Sequence, residues 1–254
     1  MTTSSQHIFE YLLRLGDDRL IIGHRLSEWC GHGPVLEEDI AMTNVALDLV
    51  GQAIGFLTAA GEAEGKGRDA DKLAYFRDTT EFRNLLLLEQ PNIDFAYTIT
   101  RQFLFDAYSY FQLLALQESS NETIAGLATK SLKEVRYHLR HSREWVIRLG
   151  DGTEESHARM QDALDDLWPF TDEMFETDEL EEALSKDKII VTSGSLRNEW
   201  EKAVLDTLKE ATLIVPEIIP GMLRGSRKGI HTEHLGLLLA EMQIVPRSHP
   251  GASW

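Results

Sequence analysis

Apolar residues recur at intervals of three and four along nearly the whole chain, and alternating strand-like runs are almost absent. That period turns one face of successive helices toward a core, so the expected fold class is all-α. Ile8, Leu12, Leu15, Leu20, Ile22 and Leu26 mark a first helix from about Gln6 to Cys30, stopped by Gly31, Gly33 and Pro34. A second covers about Leu36 to Ala60 and ends at Gly61, with Glu37, Glu38 and Asp39 suited to the positive end of its dipole. A charged, Gly-rich loop from Glu62 to Asp71 leads to a shorter helix of about Lys72 to Leu88, closed by Pro91.

Two more long helices follow, about Asn92 to Gln117 and Glu122 to Leu149, joined by Ser119, Ser120 and the candidate cap Asn121. Thr153 to Leu184 is helical with an interruption near Pro169, and Ser195 to Ile214 is helical after a polar break. Pro216 and Pro220 form an irregular bridge to a basic, Gly-punctuated stretch, Arg224 to Gly229, and a final helix spans about Thr232 to Val245. Long, long, short, long, long is the order of a ferritin-like four-helix bundle with a crossover, here with extra C-terminal helices. We therefore expect a single domain over 1–254, its core bundle at about 6–149 and its C-terminal helices and tail at about 153–254.

Matching the helices end to end suggests which residues share a level. Leu20 and Asp48 should face one another across the first turn, and Asp106 should lie near Val135 and His138 across the second. Di-iron bundles place a Glu on each of two helices and Glu-x-x-His on each of the other two, because residues three apart share a helix face. Here Leu20, Asp48, Gly51, Asp106, Val135 and His138 fall where such a set would be, and half of them offer no donor atom. Too few ligands remain for the oxygen-rich shell of two hard irons. The reading is a catalytic scaffold without its metal; Asp48 and Asp106 also fit acids on a partly exposed helix face, and His138 fits a core histidine bonded to one of them.

The 254 residues and 43% hydrophobic content allow a sizeable core. With 42 acidic against 25 basic residues the net charge is −17, which argues against nucleic acid and anionic membrane as partners. The one cysteine, Cys30, excludes an internal disulfide and reads as packing beside Trp29. Without an apolar run after Met1 to Gln6, a secretory signal is not expected, and the apolar runs are too short to cross a bilayer, so a cytoplasmic location is. His231-x-x-His234 with Glu233 has ligand spacing but lies at a helix start, where a structural role is expected. The basic loop could contact coenzyme A or an acidic partner through Arg224, Arg227 or Lys228.

Several stretches in one order carry a resemblance: Leu15–Gly16–Asp17, Glu28–Trp29–Cys30–Gly31–His32, Leu47 to Gln52, Glu89–Gln90–Pro91–Asn92, Lys133 to Arg140, and Gly229 to Gly236. Over about Leu13 to Trp254 the chain resembles the C subunits of bacterial phenylacetyl-coenzyme A epoxidases, the ring 1,2-phenylacetyl-CoA monooxygenases. The resemblance implies a ferritin-like structural subunit that pairs with a catalytic A subunit holding the di-iron centre, with the other subunits and a reductase as indirect partners; whether the chain alone forms a homodimer stays open. It also implies that in the A subunit the stretch like Leu20 begins with Glu, and those like Asp48–Gly51 and Val135–His138 read Glu-x-x-His. No cofactor is then expected in this chain, and the chain itself is not expected to be catalytic. Phe103, Phe105, Tyr108, Tyr110 and Phe111 are candidates for the apolar partner interface, although core packing explains most of them equally well. The competing reading is an active di-metal oxidase or oxygenase with a non-standard ligand set such as Glu28, Asp48, Asp106, Glu134 and His138.

Overall fold

The computed structural model describes residues 3–216 and 221–252, so Pro220 lies outside the described residues. The elements are helices: α1 (Thr3–Ser27), α2 (Leu36–Glu64), α3 (Ala70–Tyr75), α4 (Phe95–Leu116), α5 (Glu122–Gly150), α6 (Glu154–Leu167), α7 (Glu179–Lys186), α8 (Arg197–Glu210) and α9 (Glu233–Ser248). The described residues contain no strand, and the protein is all-α, in keeping with a ferritin-like bundle. The chain divides into two compact units, Met1–Pro91 with Gly225–Trp254, and Asn92–Arg224.

In the first unit α1 and α2 pack along their length as an antiparallel pair. Gly16 lies against Leu57 and Gly23 against Ala46, Leu49 and Val50, because the missing Cβ atoms let the two helices close on each other. Arg19 Nε donates to Gln52 Oε1 at 3.1 Å in the same register. Leu20 is therefore level with Gln52, about a turn away from Asp48, which corrects the layer expected from end-to-end matching. The chain prolongs the path of α1 beyond Ser27 through the turn bonds Trp29 N–H to Leu26 O, Cys30 to Ser27 and His32 to Trp29 before it doubles back. Cys30 sits exposed in this turn rather than packed.

Gly61 does not end α2. The helix continues to Glu64 and stops at Gly65, whose left-handed φ of 68° carries an N–H to Gly61 O. Gly61 is needed for another reason: a Cβ there would lie 2.0 Å from Arg68 O.

The expected helix Lys72–Leu88 is the clearest correction. Only α3 forms, and the chain then runs irregularly with short 3₁₀ turns at Thr79–Glu81 and Leu86–Glu89. Its backbone N–H groups have better partners than a helix would give. Arg83 N–H donates to Asp17 Oδ2 at 2.8 Å and Leu85 N–H to Asp18 Oδ1 at 2.9 Å. Asp17, Asp18 and Arg19 are consecutive and fully buried on α1. Burial of such charges is tolerable only with partners, and each has them. Arg77 Nη1 reaches Asp17 at 2.9 Å while its guanidinium lies over Phe82. Arg227 reaches both oxygens of Asp18 at 2.9 and 2.8 Å, and Arg19 adds Leu15 O and the face of Phe56. Glu89, also buried, accepts from Asn84, His231 Nδ1 and Thr232 N–H, and Arg25 binds the Glu89 and His234 carbonyls. Gln243 on α9 closes the set by donating to Ala74 O and Arg77 O.

In the second unit every residue of α4 from Ala96 to Ser109 is buried, as a helix surrounded on all sides must be. Asp94 caps it, and Asn121 caps α5 by accepting from Ile124 N–H at 3.1 Å. α6 starts at a Thr153–Ser156 capping box and ends where Pro169 sits in a 3₁₀ turn, matching the expected interruption. Trp200 on α8 donates to Leu104 O at 3.0 Å and packs with Trp168 and Phe175. Phe103, Phe105 and Tyr108 are core residues, so they offer nothing to a partner; Tyr110 and Phe111 are half-buried.

Removing one member of a buried ion pair leaves the other uncompensated, at a cost of about 3–5 kcal/mol. Asp17→Ala is therefore expected to lower the chemical-denaturation stability by that order, well beyond the loss from an exposed control such as Glu155→Ala; equal losses would refute the role given to the pair.

Candidate functional site

The site residues on α4 and α5 lie within one unit and assemble around Asp106. This carboxylate is 1% exposed. Gln102 Nε2, one turn earlier on α4, donates to its Oδ1 at 2.7 Å, and Ser142 Oγ on α5 donates to its Oδ2 at 2.8 Å. Ser142 also donates to His138 O at 3.0 Å, the ordinary back-bond of a serine one turn on. His138 is 1% exposed and close enough that its charge acts on Asp106.

Antiparallel packing sets which α5 residues come level. Gln117 bonds Thr129 across the turn and Asp106 bonds Ser142, so the residue facing Asp106 is Ser142 rather than Val135. Val135 is buried two turns earlier, as an apolar side chain. The sequence pairing thus holds for His138 and fails for Val135. Ser142 and Gln102 were missed; the signal was their position four residues from His138 and Asp106, on the same helix faces.

Burial pushes the Asp106 carboxyl up to about 6, against the opposing pull of His138 and the hydrogen bonds from Ser142 and Gln102. The cluster is therefore one protonatable acid whose two oxygens each already accept a neutral donor. That donor set does not fit a pair of hard cations: the Ser142 O–H and the Gln102 N–H point at the carboxylate, where metals would have to be. Among the described residues no group of three or more His, Cys, Asp or Glu side chains is placed to hold a metal ion.

On α2 the other candidate residues sit apart from a buried centre. Asp48 is half-buried at the rim of the packed face. Gly51 is exposed, and a Cβ there would meet nothing within 4 Å. Leu20 is buried at 3% as an ordinary core residue of α1. Of the alternative ligands, Glu28 pairs with Arg25 at 2.8 Å beyond the end of α1, and Glu134 is half-buried on α5.

The basic loop is less available than its composition suggests. Arg227 turns inward to Asp18, and Arg224 pairs with Asp172 and with Glu176, the latter at 3.0 Å. Lys228 is exposed. The His231 side chain is buried, with its ring nitrogens against Glu89 and Phe82 O.

An all-α chain with an acid and a histidine brought together on paired long helices is consistent with a ferritin-like architecture. Comparison with known families places it: residues 1–254 match the phenylacetic acid catabolic protein family, and the chain belongs to that family. It is 50% identical over 244 residues to the C subunit of the 1,2-phenylacetyl-CoA epoxidase of Escherichia coli (strain K12), an alignment spanning 96% of this chain and 98% of that protein.

The pH dependence of stability follows from Asp106. Its folded value is raised from 3.8 to about 6, so the stability it contributes is present below the unfolded value and lost as pH rises through about 6. The loss is on the order of 3 kcal/mol. Asp106→Asn keeps the shape, and Gln102 can turn its amide to match, so the variant should show a flatter stability profile between pH 4 and 7 in denaturant titrations. An unchanged slope would remove Asp106 as the source.

Proposed function

We propose that this chain is a non-catalytic structural subunit of a multicomponent oxygenase that epoxidises the aromatic ring of phenylacetyl-CoA in phenylacetate catabolism. The observation that carries the reading is the state of the Asp106 cluster, an acid satisfied by Ser142 and Gln102 where a catalytic relative would need ligands. The similarity to the C subunit of an epoxidase supplies the reaction and the pathway. The partner would be the catalytic subunit of the same complex, which would hold the di-iron centre and carry out oxygen activation; this chain would bind no metal. Its contribution would be a permanent helix-on-helix interface, and such interfaces typically bury about 2,000 Å² or more. Other subunits and a reductase would act at one remove.

A cytoplasmic location fits a coenzyme A thioester substrate. One helix, α2, is long and apolar enough to cross a membrane by length and composition, and 44% of its most apolar window is buried inside the protein. Coenzyme A contact through Arg224, Arg227 and Lys228 is not part of the proposal, because ion pairs within the chain account for the two arginines.

Co-expression with the candidate catalytic subunit should give a stable complex that turns over phenylacetyl-CoA when a reductase is supplied, with activity lost when this chain is omitted. The chain purified alone from iron-replete cells should contain far less than one iron per chain by elemental analysis. About two irons per chain would instead support the di-metal oxidase reading with ligands drawn from Glu28, Asp48, Asp106, Glu134 and His138.

A further inference from the structure

α2 has two unlike faces. Met42, Val45, Ala46, Leu49, Ala53, Phe56, Leu57 and Ala60 are buried. On the opposite side Ile40, Asn44, Leu47, Gly51, Ile54 and Thr58 are all exposed, at successive steps of four and three residues. The large members are strongly so: Ile40 is 52% exposed, Leu47 64% and Ile54 53%, with Leu36 at 72% just before them.

Singly scattered exposed aliphatics mean little. A stripe with a strict seven-residue recurrence means more, because a straight helix has 3.6 residues per turn and a 3.5-residue seam stays in contact with its neighbour only if that neighbour is another helix wound around it. Ile40, Leu47 and Ile54 supply a large side chain at every heptad, and Asn44, Gly51 and Thr58 supply a small or polar one between them. This alternation gives protruding side chains separated by hollows, over about 27 Å of helix. Gly51 makes the central hollow, with open space within 4 Å of where a Cβ would be.

Charge selects the occupant. α2 carries Glu37, Glu38, Asp39, Asp48, Glu62 and Glu64 and no Lys or Arg. A second copy of α2 would lay one cation-free acidic helix on another, in a chain whose net charge is already −17. An anionic bilayer is opposed for the same reason. We infer that the exposed stripe of α2 docks a helix of a different subunit, one with apolar residues on the same 3.5-residue recurrence and Lys or Arg on its flanks. This rests on the subunit reading given above and adds the face and the chemistry of the contact.

The test uses the full chain co-purified with the catalytic subunit of its own complex. Leu47→Lys inserts a cation at the middle of the seam, where a basic-flanked helix would oppose it, while Leu205→Lys places the same change on the exposed part of α8. Because both sites are exposed, thermal melts of the isolated variants should match the wild type, which separates lost docking from lost folding. Leu47→Lys is expected to weaken the complex by roughly tenfold or more and Leu205→Lys to leave it unchanged. In a second arm, Glu37→Lys should weaken it further at low salt than at high salt. Full-strength binding by Leu47→Lys overturns the proposal and leaves the subunit reading intact. So does a wild-type chain that dimerises with itself through this face or partitions into phosphatidylcholine vesicles. Failure of the wild-type chain to bind any co-expressed subunit removes both.

Discussion

Three consecutive ionisable side chains, Asp17, Asp18 and Arg19, occupy the middle of α1 where a helix of this kind would ordinarily be apolar. Their desolvation is a constraint on everything around them in that unit, since an unpaired buried charge costs far more than the folded state has to spare. The solution is non-local. Asp17 recruits Arg77 and the Arg83 N–H, Asp18 recruits the Leu85 N–H and Arg227, and Arg19 recruits Gln52. The partners come from three separate parts of the sequence, so the charges fix at once the irregular run after α3, the α1–α2 register and the place of the segment carrying Arg227. A hydrophobic core of the same size could slide; a set of paired charges with one arrangement cannot do so cheaply.

This also separates what was legible in the sequence from what was not. The long helices were, since their period and their stop signals are local: α4 and α5 lie within a few residues of the expected spans, and Asn121 caps where its chemistry says it should. The segment after Tyr75 was not. Leu85 to Leu88 looks helical by composition, but the N–H groups of Arg83 and Leu85 are claimed by carboxylates more than sixty residues earlier, and no local pattern carries that. Arg227 was visible as a cation in a basic loop; that it is the counter-ion of Asp18 required the fold.

Register was legible only to within a turn. Counting from the loops assumes symmetrical turns, and both connections depart from that: Glu28 to His32 prolong α1, and the α4–α5 pairing brings Ser142 level with Asp106. On a helix one turn still keeps the same face, which is why His138 was found next to Asp106 while Val135 was not. Residue identity at a candidate ligand position is therefore a firmer guide than the level assigned to it.

The same cluster shows how a single buried acid is accommodated between paired helices. A ligand set emptied of its cation would leave several buried carboxylates repelling one another, each with a raised pKa. Here Leu20 and Val135 are buried as aliphatics, and Asp106 is met by neutral donors rather than by another acid. Burial still raises its pKa, because the two neutral donors do not offset the loss of solvent. The two donors come from facing helices, so the acid ties α4 to α5 through side chains of that pair alone.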